Sequence, residues 1–185
     1  MLFKRLLLPP LLLLMSACSQ VQIEQHTDLQ PAMQLEQFFS GQMTAHGVVK
    51  DRSGKIIRTF NADIAASWDA GVGTLDEDFI FDDGELQKRI WTLTPQADGS
   101  YTGSAGDVVG DGQLMVAGNS VFLDYVLRIP YKDGTIDVRV DDRMYLVTDD
   151  ILLNESRMLK FGVQVGSLLL VIIRQPAEAT EGLTP

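Results

Sequence analysis

Two acidic side chains stand where alternation calls for apolar ones. Glu77 shares its parity with Leu75, Phe79 and Phe81, and Asp142 falls among Val138, Val140, Met144 and Leu146. An unpaired charge in a dry interior costs several kcal/mol, so each must pair, meet water or face a ligand. Arg89, Tyr125, Asn154, Ser156 and Lys160 occupy matching positions on neighbouring runs and are the groups that could answer them. Three kinds of chemistry fit this set. The residues can be satisfied internal pairs that fix strand register. They can form the polar floor of a cavity for a small, largely apolar ligand whose polar end meets Arg89 or Lys160. Or Glu77 or Asp142 can be the general base of an enzyme, which requires a raised carboxyl pKa and an accessible cavity.

The elements that must position these groups are strands. From about residue 41 the dominant period is two, punctuated every eight to twelve residues by Gly, Asp and Asn, which predicts about nine or ten antiparallel strands. Phe60, Ala62, Ile64, Ala66 and Trp68 share one face, as do Val121, Leu123, Tyr125, Leu127 and Ile129. A meander of that many strands with one apolar face tends to close, which also removes its edges. The expected fold is therefore all-β, an up-and-down antiparallel barrel over residues 36–174, with a short helix within 31–39.

Turn chemistry sets the register. A three-residue loop at Asp82-Asp83-Gly84 pairs Glu77 with Arg89 and Leu75 with Trp91. A two-residue turn at Asp133-Gly134 sets Tyr125 against Asp142 and Leu123 against Met144. A three-residue loop from Thr148 to Asp150 sets Met144 against Asn154, Asp142 against Ser156 and Val138 against Lys160. Trp68 and Trp91, both inward, read as core aromatics.

Other signals exclude more than they assign. His26 and His46 form no cluster with metal-ligand spacing, and no phosphate loop, dinucleotide fingerprint or serine elbow is present, so neither metal nor cofactor is expected. The Asp107-to-Gly112 stretch lacks the EF-hand spacing and reads as a turn.

The first residues are an address. Lys4 and Arg5, a short proline-broken apolar run and Ser16-Ala17 before Cys18 resemble the lipobox of bacterial lipoproteins. This implies a signal peptide at 1–17, acylation of Cys18, a polar tether over 18–35 and, from Ser19, an outer-membrane address facing the periplasm. The chain has 185 residues with 15 basic and 25 acidic side chains, and removing residues 1–17 takes away two of the basic ones. The resulting acidity argues against nucleic acid as a partner. A monomer is expected, ending in a frayed tail at 175–185.

The domain from about Phe38 to Arg174 also resembles a bacterial lipoprotein family known only as domain of unknown function 3833. The resemblance rests on Phe39-Ser40-Gly41, Asp51-Arg52 with Gly54, Glu77 with Phe79 and Phe81, Asp83-Gly84, Arg89 with Trp91, Asp107-Val108-Val109-Gly110, Gly118-Asn119, Asp141-Asp142 with Met144, and Asn154 with Met158, Lys160 and Gly162. Arg143 departs from it, since Trp is expected there. The resemblance implies a calycin-like (lipocalin-like) barrel but carries no activity, ligand or catalytic residue with it. The leading expectation is a membrane-anchored lipoprotein whose barrel binds a small apolar or lipid-like ligand. The alternatives are a filled barrel acting as an envelope scaffold or assembly partner, and an enzyme.

Overall fold

A computed structural model describes residues 21–176. The expected signal peptide, Cys18 and most of the expected tail lie outside the described residues. The strands are β1 (Gly41–Asp51), β2 (Ile56–Asp69), β3 (Val72–Phe81), β4 (Leu86–Pro95), β5 (Tyr101–Ser104), β6 (Gly112–Ala117), β7 (Ser120–Tyr131), β8 (Gly134–Thr148), β9 (Ile151–Lys160) and β10 (Val163–Arg174). Each pairs antiparallel with its neighbours in sequence, and β1 pairs with β10 to close the barrel. Closure leaves no unpaired edge, the usual route to aggregation in a sheet of this size.

The alternation of residue types decides which face turns inward. Met43, Ala45, Ala62, Ile64, Leu75, Trp91, Leu114, Val121, Leu152 and Ile172 are buried on the inner face. Outward positions on β3, β4, β7 and β8 carry ion pairs instead, with Lys88 against Asp76 and Asp78, Arg128 against Asp137 and Arg139 against Asp124. Exposed pairs of this kind add little stability, but they oppose outward burial of these strands.

One end of the barrel is plugged. A 3-10 turn (Ile23–His26) and a one-turn helix, α1 (Leu35–Phe38), precede β1, and Met33, Leu35, Phe38 and Phe39 join the barrel core. Trp68 ties the plug down by donating from Nε1 to the Phe39 carbonyl at 2.6 Å. Gly73 faces this indole so closely that an added Cβ would lie 2.8 Å from its ring.

The expected tether over 18–35 is corrected in its described part. Ile23 and Met33 are buried, His26 Nδ1 is 2.7 Å from Ser120 Oγ, and Met33 N–H donates to the Gly118 carbonyl at 2.7 Å. Arg143 donates to the Val21 carbonyl at 3.2 Å while its guanidinium covers the Phe122 ring. The polar composition of this segment hid a few apolar anchors, spaced too widely to show a period.

The β3–β4 and β8–β9 registers are as expected, with Glu77 opposite Arg89 and Asp142 opposite Ser156. The β7–β8 register is not. Tyr131 pairs with Gly134, so the two loop residues are Lys132 and Asp133, with Lys132 at φ 52°. Tyr125 consequently faces Val140, and Leu123 faces Asp142. The pairing has slipped by two residues, which preserves parity, so every side chain stays on its expected face.

Candidate functional site

The barrel is not filled. A cavity of about 910 Å³ runs from Phe39, at the plug, to a mouth lined by Val49, Ile57, Arg58, Phe81, Glu85 and Pro130. Its size disposes of the filled-barrel alternative, which requires an interior no larger than a few waters. Apolar side chains make most of the wall, including Phe60, Leu75, Phe79, Trp91, Leu127 and Leu170.

Against that wall lies one polar cluster. Arg89 Nε donates to both carboxylate oxygens of Asp107 at 3.1 Å, and Arg89 Nη2 reaches Asp107 Oδ2 at 2.6 Å. Bidentate geometry of this kind makes a strong pair. Burial works against the Arg89 charge, but Asp107 and the surrounding carboxylates hold its pKa above the ordinary value.

Asp107 was missed by sequence reasoning, which took its segment for a turn. Because β5 and β6 are short, residues 105–111 instead fold back along β7. Val108 bridges to Leu127, Val109 N–H donates to the Val126 carbonyl, and Arg128 N–H donates to the Asp107 carbonyl. The available signal was an inward arginine with more than one candidate acid.

Glu77, directly across the ladder from Arg89, accepts no hydrogen bond among the described residues. It lines the cavity and keeps partial access to it, while protein surrounds it on all other sides. Burial pushes its pKa up to about 7; Arg89 opposes this, and Asp107, Asp142 and Asp76 reinforce it. Asp142, on the far side of the lumen, is buried. Its Oδ1 accepts from Ser156 Oγ at 2.7 Å and from Asn154 Nδ2, and burial raises its pKa to about 6 against those hydrogen bonds. Tyr125 is 9% exposed and packs edge-on against Trp91, with ring centroids 5.2 Å apart. Its hydroxyl makes no hydrogen bond among the described residues, and burial raises its pKa.

The structure thus brings Glu77, Arg89, Tyr125, Asp142, Asn154 and Ser156 to one cavity. It does not bring Lys160, which is corrected: Lys160 Nζ donates to the Asp137 carbonyl at 2.6 Å beside the Phe161 ring, outside the cavity lining. At a strand end parity no longer dictates direction, because a long side chain can reach around the rim. No group of three or more His, Cys, Asp or Glu among the described residues is arranged to hold a metal ion.

A closed ten-stranded meander, plugged at one end and hollow behind an open mouth, defines a calycin-like barrel. Within that class the chain belongs to the family described as protein of unknown function (DUF3833), whose model matches residues 12–174. Among solved structures it is similar to the S-type phycobiliprotein lyase from Guillardia theta, at 13% identity and a TM-score of 0.50, covering 79% of this chain and 95% of that one. A structure titled EF1p2_mFAP2b bound to DFHBI matches at 10% identity and a TM-score of 0.41, covering 75% and 95%. The lyase likeness concerns the fold alone. No curated protein matches the chain.

Proposed function

We propose that this protein is a membrane-anchored envelope lipoprotein whose barrel holds one small, lipid-like molecule. The observation that carries the reading is the largely apolar 910 Å³ cavity, open at one end, with the Glu77, Arg89 and Asp142 cluster inside it and Arg58 and Glu85 at its mouth. A volume in this range suits one ligand of drug or fatty-chain size, with the apolar wall supplying affinity and the few polar groups fixing orientation. Ile56, Leu86, Tyr131 and Val163 are exposed at the mouth end, and Phe161, 93% exposed in the β9–β10 turn, is held at φ 51°. Apolar residues gathered round an opening favour contact with a lipid source or an apolar partner.

Acylation at Cys18 would hold the protein on that source, since several buried methylenes contribute ~0.8 kcal/mol each.

The test is native mass spectrometry of the protein purified from its own envelope. The reading expects an added mass on the barrel that solvent extraction removes, and an acylated N-terminus that Cys18→Ser abolishes. Bare polypeptide alone, from the envelope without detergent exchange, would reject ligand binding.

A further inference from the structure

The cavity floor has the wrong charge for an acid. Around it stand three carboxyl groups, those of Glu77, Asp142 and Asp107, and one guanidinium, that of Arg89. Asp107 already occupies the Arg89 fork from both oxygens. Lys160, the other cation expected to greet an anionic head, is engaged elsewhere. An incoming carboxylate would find only the Nη1 edge of Arg89, on a guanidinium already neutralised by Asp107, while meeting Glu77 and Asp142 at close quarters.

The same geometry suits a donor. In the closed order of ten strands, β3 and β8 lie five steps apart by either route, so Glu77 and Asp142 project into the lumen from opposite walls. Glu77 offers both oxygens, and Asp142 one, that accept no hydrogen bond among the described residues. The hydroxyl of Tyr125, a residue only 9% exposed, makes no hydrogen bond among the described residues and also lines the cavity. An ammonium has three N–H donors and no acceptor, and this floor presents two carboxylates and a phenol oxygen from different walls. Nearby, the Trp91 and Tyr125 rings add aromatic surface that tolerates a cation.

We propose that the ligand's head group is an amine cation, carried on an apolar chain and held between Glu77 and Asp142. The inference rests on reading the cavity as a ligand site. Burial holds both carboxyls partly protonated near neutral pH, and an ammonium binds their ionised forms, so amine affinity rises with pH between about 5 and 8. The charges facing this site are those of Glu77, Asp142, Asp107, Arg89 and, more remotely, Asp76 beside Glu77 and Asp141 beside Asp142.

The experiment uses the folded protein after solvent extraction, loaded with the neutral fluorophore N-phenylnaphthylamine. Dodecylamine, dodecanol and dodecanoate compete for it below their micellar concentrations, at pH 5.5 and 7.5. Dodecylamine is expected to displace the fluorophore at pH 7.5 at a concentration at least about tenfold below that of dodecanoate, the equivalent of ~1.4 kcal/mol. Its advantage should shrink at pH 5.5 and in Glu77→Gln and Asp142→Asn, while dodecanol displacement stays within about twofold throughout. Dodecanoate competing as well as the amine, or an amine advantage indifferent to both substitutions, overturns the inference but leaves a lipid-binding barrel. If the fluorophore does not enter, or none of the three displaces it, the binding reading itself fails.

Discussion

Replacing Glu77 by Gln should stabilise the barrel, and only at high pH. The carboxyl titrates at about 7 in the folded chain against an ordinary value of 4.5. Between those midpoints the folded protein holds a proton that the unfolded chain has released, so stability falls as pH rises from 4.5 to 7 and levels off above. At ~1.36 kcal/mol per pH step of midpoint, the full displacement is worth about 3 kcal/mol, and contact with cavity water reduces it towards 1. Gln has nearly the same shape and no charge to desolvate. Glu77→Gln should thus match the wild type at pH 4, within about 0.5 kcal/mol, and exceed it by about 1–3 kcal/mol at pH 8. The slope contributed by Asp142, raised from 3.8 to about 6, remains in both proteins and largely cancels in the difference. Urea unfolding followed by circular dichroism at the two pH values, on extracted protein and with equal denaturant slopes, measures the quantity. An equal offset at both pH values, or a variant less stable at pH 8, would show that Glu77 has a partner holding it ionised, and the cavity floor would have to be redrawn.

Three further outcomes follow from the same geometry. Arg89→Ala leaves Glu77, Asp142 and Asp107 without their cation; the expected loss is about 3–5 kcal/mol at pH 8 and visibly less at pH 5, read by the same unfolding assay, and an equal loss at both would contradict the charge argument. Gly118 has φ 54°, and an added Cβ would lie 1.8 Å from the His26 carbonyl oxygen, so Gly118→Ala should push the 23–33 segment off the wall, costing about 1–3 kcal/mol and exposing that segment to limited proteolysis before the barrel; an unchanged cleavage pattern would count against the docked segment. Trp91 lines the cavity while Trp68 holds the plug, so ligand-induced change in tryptophan fluorescence should survive Trp68→Phe and vanish in Trp91→Phe; the reverse would place the ligand at the wrong end.

What could be read from the residues was parity, and what could not was anything that parity leaves free. Alternation along β2, β7 and β8 placed Phe60, Leu127 and Val140 inward without reference to their partners, and the turn at Asp82-Asp83-Gly84 fixed Glu77 opposite Arg89 because its loop length admits one register. At Lys132-Asp133 two loops of the same length compete within one residue of each other. Both keep the faces, so the burial pattern could not choose between them. The counter-ion of Arg89 lay further still from sequence reach. A ladder predicts a residue's neighbours across the strand, and Glu77 is that neighbour, but Asp107 arrives from a loop whose path depends on how far β5 and β6 extend. That difference carries the chemistry. With Glu77 as the salt-bridge partner the floor would hold a balanced pair and could take a neutral or anionic head at Arg89's free edge. With Asp107 in that role, Glu77 faces the lumen with no salt bridge among the described residues, and burial leaves it holding its proton up to about pH 7.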